Sequence, residues 1–285
     1  MNNLIQEAPE RVIARMAGEA ERLLTPCGEG HMVSHVWGSG PPIVLLHGNA
    51  GSWTHWIRNI DALSRHYRVI AVDIPGFGDS AMPPAPYSHR SIAEIIAGGA
   101  AQIAGEGKIG VAGFSFGASI ASETAHALGA RLGGLVLISA RNTMADLTLH
   151  SSPKFLQWRT LETAQERDMA HRRNLAAMMI STEERIDELS VVIQKTNAER
   201  SRLRSEAMGP STATQSRVPV LPVPVSFIWA ERDIIIGPYM HERIAWIRRY
   251  RPDARYSIIP DAGHWMIYEQ AERSNEVLLD LLKQD

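Results

Sequence analysis

"VAGFSFGAS", residues 111–119, reads as a buried strand that stops abruptly and turns into a helix. Ser115 stands two residues from a glycine on either side, Gly113 and Gly117. A Gly-x-Ser-x-Gly corner between strand and helix forces the serine into a strained conformation and presents its hydroxyl to the open. Glycine at both flanking positions removes side chains that would collide with neighbouring backbone, and Ala112, Ala118 and Ala121 keep the remaining contacts small. A helix beginning near Phe116 aims unpaired N–H groups at the same point and favours negative charge there.

Working outward, short apolar runs at 43–47, 68–73, 109–113, 134–139, 225–230 and 255–259 have the composition of parallel strands buried on both faces. Helical patterns separate most of them, which predicts βαβ units and a mostly parallel, doubly wound α/β sheet. The run 31–37 alternates apolar and polar residues and ends at Gly38-Ser39-Gly40-Pro41-Pro42, so it is expected as an antiparallel strand hairpinned onto the sheet. At the N-terminus, Val12, Ile13, Met16, Ala20, Leu23 and Leu24 fall on one helical face and predict a short amphipathic helix.

The gap between Ala140 and Val225 is too long for a simple crossover. Its polar, helical patterning predicts a helical cap over 141–217, leaving 1–140 and 218–285 as the core. Within it, Ser181-Thr182-Glu183-Glu184 fits a capping box, and 174–180 and 186–193 carry apolar residues at helical spacing. The prolines of 218–224 argue against helix where the chain returns to the sheet.

The strands end in unusual groups: His47-Gly48-Asn49, Asp73-Ile74-Pro75-Gly76-Phe77-Gly78, the serine corner, Glu231-Arg232-Asp233 and Asp261-Ala262-Gly263-His264. In a parallel sheet these lie at one carboxyl edge, where open α/β sheets bind ligands. These motifs, in this order, resemble the α/β-hydrolase family from about residue 30 onward. The resemblance implies that fold, with the cap inserted after the sixth strand, and it implies roles. Ser115 is the expected nucleophile, His264 its base and Asp233 the acid that orients the imidazole. Glu231, close by in sequence, is the alternative orienter. The backbone N–H groups of Phe116 and Asn49 are the expected oxyanion donors. Trp53, Trp265 and Met178 are candidates to line the substrate pocket. Asp73 and His47 are expected to organise turns rather than react.

A serine nucleophile points to acyl chemistry, and a small, largely apolar carboxylic ester is the first reading of the substrate. Gly263-His264-Trp265 followed by Glu269 and an amphipathic segment also resembles the meta-cleavage-product hydrolases, which cleave C–C bonds in vinylogous diketones; that is the second reading. The loop Asn49-Ala50-Gly51-Ser52 and Phe116 depart from that subfamily's usual Gly-Pro-Gly and Ser-Met. A non-catalytic ligand-binding protein on the same fold is the alternative from another class.

Composition narrows the remaining possibilities. Of 285 residues 45% are hydrophobic and 21% charged, with a net charge of -2. That balance gives nucleic-acid binding no electrostatic support. Cys27 is the single cysteine, so an intrachain disulfide and a multi-cysteine metal site are excluded. With no His-Glu-x-x-His segment, neither cofactor nor metal is expected. The first residues lack the apolar stretch of a signal peptide and no run approaches membrane-spanning length. The expectation is a cytoplasmic enzyme with a small-molecule substrate, no membrane partner and a possible homodimeric state.

Overall fold

The computed structural model describes residues 7–140 and 155–283, the side chains of Glu206 and Pro238 excepted. Residues 141–154, the first part of the expected cap, and positions 141 and 142 after the sixth strand lie outside the described residues.

The chain begins with helix α1 (Pro9–Gly18), followed by strands β1 (Glu21–Cys27), β2 (Gly30–Trp37) and β3 (Pro42–Leu46). A short helix α2 (Ile60–Ser64) precedes β4 (Arg68–Val72), and α3 (His89–Ala104) leads to β5 (Ile109–Phe114). Then come α4 (Phe116–Leu128) and β6 (Leu132–Ile138). The described part of the insertion holds α5 (Ala164–Asn174), α6 (Glu188–Arg200) and α7 (Ala213–Arg217). Strand β7 (Val225–Ala230), α8 (Met240–Tyr250), β8 (Arg255–Ile259), α9 (Met266–Glu269) and α10 (Ala271–Leu282) complete the chain.

The strands form one eight-stranded sheet in the order β1-β2-β4-β3-β5-β6-β7-β8. β1 pairs antiparallel with β2, and β2 with β4; every pairing from β4 to β8 is parallel. β5 lies inside the sheet and all six of its residues are buried. Alternate strand residues face opposite layers. Val44, Leu46, Ile70, Val72, Val111, Leu135, Leu137 and Phe227 share one core with α3, α4 and Ile247 of α8. Ile43, Leu45, Val69, Ala71, Ala112, Phe114, Val136 and Ile138 share the other with α1, α2 and α10. The described cap belongs to this second core through Leu175, Met179, Ile180, Ile186, Val191 and Ile193.

Three expectations change. The N-terminal helix stops at Gly18, and Leu23 and Leu24 belong to β1, whose partner β2 supplies the ladder that a helix would have supplied locally. The Ser181–Glu184 capping box does not form. Residues Glu183–Arg185 make a short 3-10 turn without a side-chain cap, and Ser181 turns to Glu269 instead. A true capping box sits at Thr163 and Glu166, starting α5, while Asp187 caps α6. At the return to the sheet, Val218–Val220 form a single 3-10 turn that tolerates Pro219 at its start.

The corner after β5 depends on space as well as conformation. A Cβ on Gly117 would sit 2.5 Å from the Leu46 carbonyl oxygen, and one on Gly113 would sit 2.6 Å from the Ala121 Cβ. Gly117→Ala should therefore destabilise the protein by about 2 kcal/mol or more, because the backbone it meets cannot yield. Gly98, exposed in the middle of α3 with nothing within 4 Å of its would-be Cβ, gives the control: Gly98→Ala should be neutral or stabilising by up to about 1 kcal/mol. Urea denaturation midpoints of the two variants test the contrast.

Candidate active site

Ser115 occupies the corner between β5 and α4 with φ 54 and ψ -116, in the left-handed half of conformational space. Its N–H donates to the Ile138 carbonyl of β6 at 2.8 Å and its carbonyl accepts from Ala118 at 2.9 Å, so the strained backbone is held from both sides. Its side chain makes no helix-capping bond. The hydroxyl instead lies 2.8 Å from His264 Nε2.

His264 follows β8 on a loop that also holds a left-handed residue, Asp261. Its Nδ1 lies 2.8 Å from Asp233 Oδ2. An ionised carboxylate only accepts, so Nδ1–H donates to Asp233 and Nε2 is left to accept the Ser115 O–H. Asp233, just beyond β7, is fully satisfied. Oδ2 also accepts from Ser139 Oγ at 2.9 Å, and Oδ1 accepts the N–H groups of Ile235 and Ile236 at 2.9 and 3.2 Å. Burial alone would push this carboxyl up, but His264, Ser139 and the backbone donor outweigh it and hold Asp233 below the ordinary aspartate value. It therefore remains an anion although it is buried.

The sequence-predicted Ser115, Asp233 and His264 thus meet in one hydrogen-bonded chain. Glu231 does not join it; its carboxylate accepts the Asp261 N–H at 3.0 Å and so shapes the histidine loop. Phe116 is the first residue of α4, and the first amides of a helix have no intrahelical acceptor. Asn49 is exposed on the loop after β3, next to Ala50, which is left-handed with φ 47. Among the described residues, the non-glycine residues with positive φ are Ala50, Ser115, Ser139 and Asp261. All four follow strand ends at this edge of the sheet. Such conformations persist only where surrounding contacts over-determine them.

The pocket candidates come out differently. Trp265 is 0% exposed; its ring stacks on Tyr268 and its Nε1–H donates to the His55 carbonyl at 3.0 Å. Trp53, 6% exposed, packs against His35 and Trp37. Both rings sit in the core that the cap shares with α1, α2 and α10. Met178 is half-buried and packs on the same core from the cap. Beside Ser115, the half-buried Phe116 ring meets Phe77 and His89, with centroids 5.8 and 5.9 Å apart. No group of three or more His, Cys, Asp or Glu placed to hold a metal occurs among the described residues, nor is any described helix long and apolar enough to cross a membrane.

Buried polar residues brace the loops. His47 donates through Nδ1 to the Gly48 carbonyl at 2.7 Å and accepts the Ile74 N–H on Nε2 at 3.0 Å. Asp73 accepts the N–H of Trp53 at 2.8 Å and of Asp79 at 2.9 Å. Both act as turn organisers. His55 Nδ1 accepts the Gly48 N–H at 3.2 Å from beneath. Glu269, with a fully buried side chain, accepts the N–H of Gly263 at 2.7 Å, that of Ser181 at 3.0 Å, and a bond from Arg185. Gly263 has no room for a Cβ, which would sit 2.7 Å from the Ser181 nitrogen. The cap end and the histidine loop are thereby in direct contact, with the Trp265 N–H donating to Met179 O at 2.7 Å. Ser139, His55 and Asn197 carry no motif in the sequence; only Glu269, five residues after His264, had a signal.

A family model described as the alpha/beta hydrolase fold matches residues 41–271, and the chain belongs to that family; it is a hydrolase. It is 28% identical, over 97% of this chain and 70% of the relative, to the dihydrolipoyllysine-residue acetyltransferase component of the acetoin cleaving system of Pseudomonas putida. It is 25% identical, over 85% of this chain and 87% of the relative, to a 2-hydroxy-6-oxononadienedioate/2-hydroxy-6-oxononatrienedioate hydrolase of Paraburkholderia phymatum. Among solved structures, naproxen esterase from Bacillus subtilis superposes with a TM-score of 0.76 at 20% identity, covering 96% of this chain and 97% of that one. A meta-cleavage product hydrolase mutant gives 0.71 at 23%, covering 91% and 97%. Both structures share the fold.

The buried imidazoles make the fold sensitive to acid. Burial pulls His35 and His47 down to about 4 and His55 well below its ordinary value. Burial likewise pushes Asp73 up to about 6, against the N–H groups of Asp79 and Trp53. Between about pH 6.5 and 4 the unfolded chain protonates these histidines and the folded chain does not, whereas Asp73 takes its proton earlier in the folded state. Three imidazoles outweigh one carboxyl, so stability should fall as pH drops through this window, by roughly 3 kcal/mol per pH unit near pH 5. Urea titrations at stepped pH measure the slope; a flat or inverted profile contradicts the assignment.

Proposed function

We propose that this protein is a serine hydrolase of small, largely apolar carboxylic esters. The supporting observation is the hydrogen-bonded chain from Ser115 Oγ through His264 to Asp233. As Oγ attacks the acyl carbon, its proton passes to Nε2, and the buried Asp233 anion stabilises the resulting imidazolium. The amides of Phe116 and Asn49 receive the developing oxyanion. Collapse of the tetrahedral species returns the Nε2 proton to the leaving alkoxide and leaves an acyl group on Ser115. A water then repeats the sequence in reverse, His264 taking its proton and Ser115 leaving. The half-buried Phe116 ring, next to the nucleophile in the chain and packed on Phe77 and His89, favours an apolar group there.

A second reading, hydrolysis of a C–C bond beside a carbonyl, draws support from the relative named as a 2-hydroxy-6-oxononadienedioate hydrolase, which aligns over most of both chains. The same serine, histidine and oxyanion donors serve it, with a carbon leaving group that must be protonated.

Rates on p-nitrophenyl acetate and butyrate, set against a ring-fission dienone, separate the readings. The ester reading predicts turnover of the esters that falls about ten-thousandfold or more in Ser115→Ala and about a thousandfold or more in Asp233→Asn. Faster turnover of the dienone favours the second reading. Ester turnover unchanged in Ser115→Ala contradicts both.

A further inference from the structure

Ala50 is the left-handed residue of the loop that carries the Asn49 N–H. Alanine does not hold that conformation by preference, so the loop must be pinned on both sides. On one side the pin is within the core: the Gly48 N–H is held by His55. On the other side Asp73 in the core accepts the Trp53 N–H at 2.8 Å, and the cap holds Ser52 and Thr54. Ser52 Oγ lies 2.7 Å from Asn197 Oδ1, Asn197 Nδ2 lies 3.1 Å from Thr54 Oγ1, and the two hydroxyls lie 2.8 Å apart. These three side chains close a ring of hydrogen bonds in which each hydroxyl donates once. Ser52 additionally accepts the Thr54 N–H and so starts the short helix Trp53–Trp56.

Asn197 is 2% exposed, and Ser52 and Thr54 are 5% and 6% exposed. The ring is therefore shielded from solvent in the folded protein. Asn197 belongs to α6, far from the loop in sequence, and the ring is where that helix grips the loop. Further along the same segment, the N–H groups of Arg202 and Leu203 donate to the Gly76 carbonyl at 3.0 Å. That second grip falls on the Asp73–Gly78 turn, so it is Asn197 that carries the cap's hold on the Asn49 loop.

We propose that Asn197 is a positioning residue for the reaction: from the cap, it fixes the Ser52 end of the loop and with it the direction of the Asn49 N–H. Its catalytic consequence rests on the serine-hydrolase reading; its mechanical consequence does not. A cap residue that aims an oxyanion donor makes turnover depend on how the cap is seated, without touching substrate itself.

Two measurements on Asn197→Ala test this. Hydrogen exchange in peptides covering 48–54 should speed up about tenfold or more, while peptides covering 259–264 should keep the wild-type rate. On p-nitrophenyl butyrate, kcat should fall about ten- to a hundredfold with KM within about twofold, less than the loss of a whole oxyanion donor. Ser52→Ala, which removes the bond to Asn197 from the loop side and leaves Asn197 in place, should reproduce both effects, and it decides the matter if Asn197→Ala does not fold. Wild-type exchange in 48–54 overturns the proposal, and so does a rise in KM with kcat retained. If the wild type does not hydrolyse the ester, the ester reading fails, and the exchange result still decides whether Asn197 holds the loop.

Discussion

The backbone of Ser115 is the constraint on which the rest of the site depends. A non-glycine residue with φ 54 is held between a strand and a helix only because Gly113 and Gly117 let neighbouring backbone close in on it. That closeness fixes α4 against the ends of β3 and β5. It also decides where the hydroxyl lies and which amides face it. Strain at one residue is tolerated because a large, doubly covered sheet surrounds it.

The same principle repeats around the edge. Ala50, Ser139 and Asp261 are left-handed as well, and each is held by polar partners: the His55 and Asn197 bonds flank Ala50, Ser139 bonds Asp233, and Glu231 takes the Asp261 N–H. The described cap contributes to this framework rather than resting on top of it. Met179, Ser181 and Arg185 meet the histidine loop, and Asn197 meets the loop after β3. Core and cap therefore share responsibility for the geometry of the reacting atoms.

Much of this was legible in the sequence because it rests on local rules. The apolar runs gave the parallel strands, and the glycine frame of Ser115 gave the corner. The chain order of serine, aspartate and histidine then gave the triad candidates. What could not be read depends on partners distant in sequence. Leu23 and Leu24 fit a helical face until β2 offers β1 a ladder. Ser181 and Glu184 have the spacing of a capping box, but Glu269 is a better acceptor once folding brings it near. Trp53 and Trp265 follow catalytic motifs in sequence, yet layer packing takes both into the core. Asn197 has no local signature at all, since its role exists only through Ser52 and Thr54.

The central claim is that Ser115 is the group that forms a bond to substrate. Treatment with a fluorophosphonate probe, followed by proteolysis and mass analysis of the peptide spanning Ser115, tests it most directly. The account predicts a stoichiometric adduct on Ser115 that forms far more slowly in His264→Ala. A folded wild-type protein that stays unlabelled, or that carries its label on another residue, would contradict it.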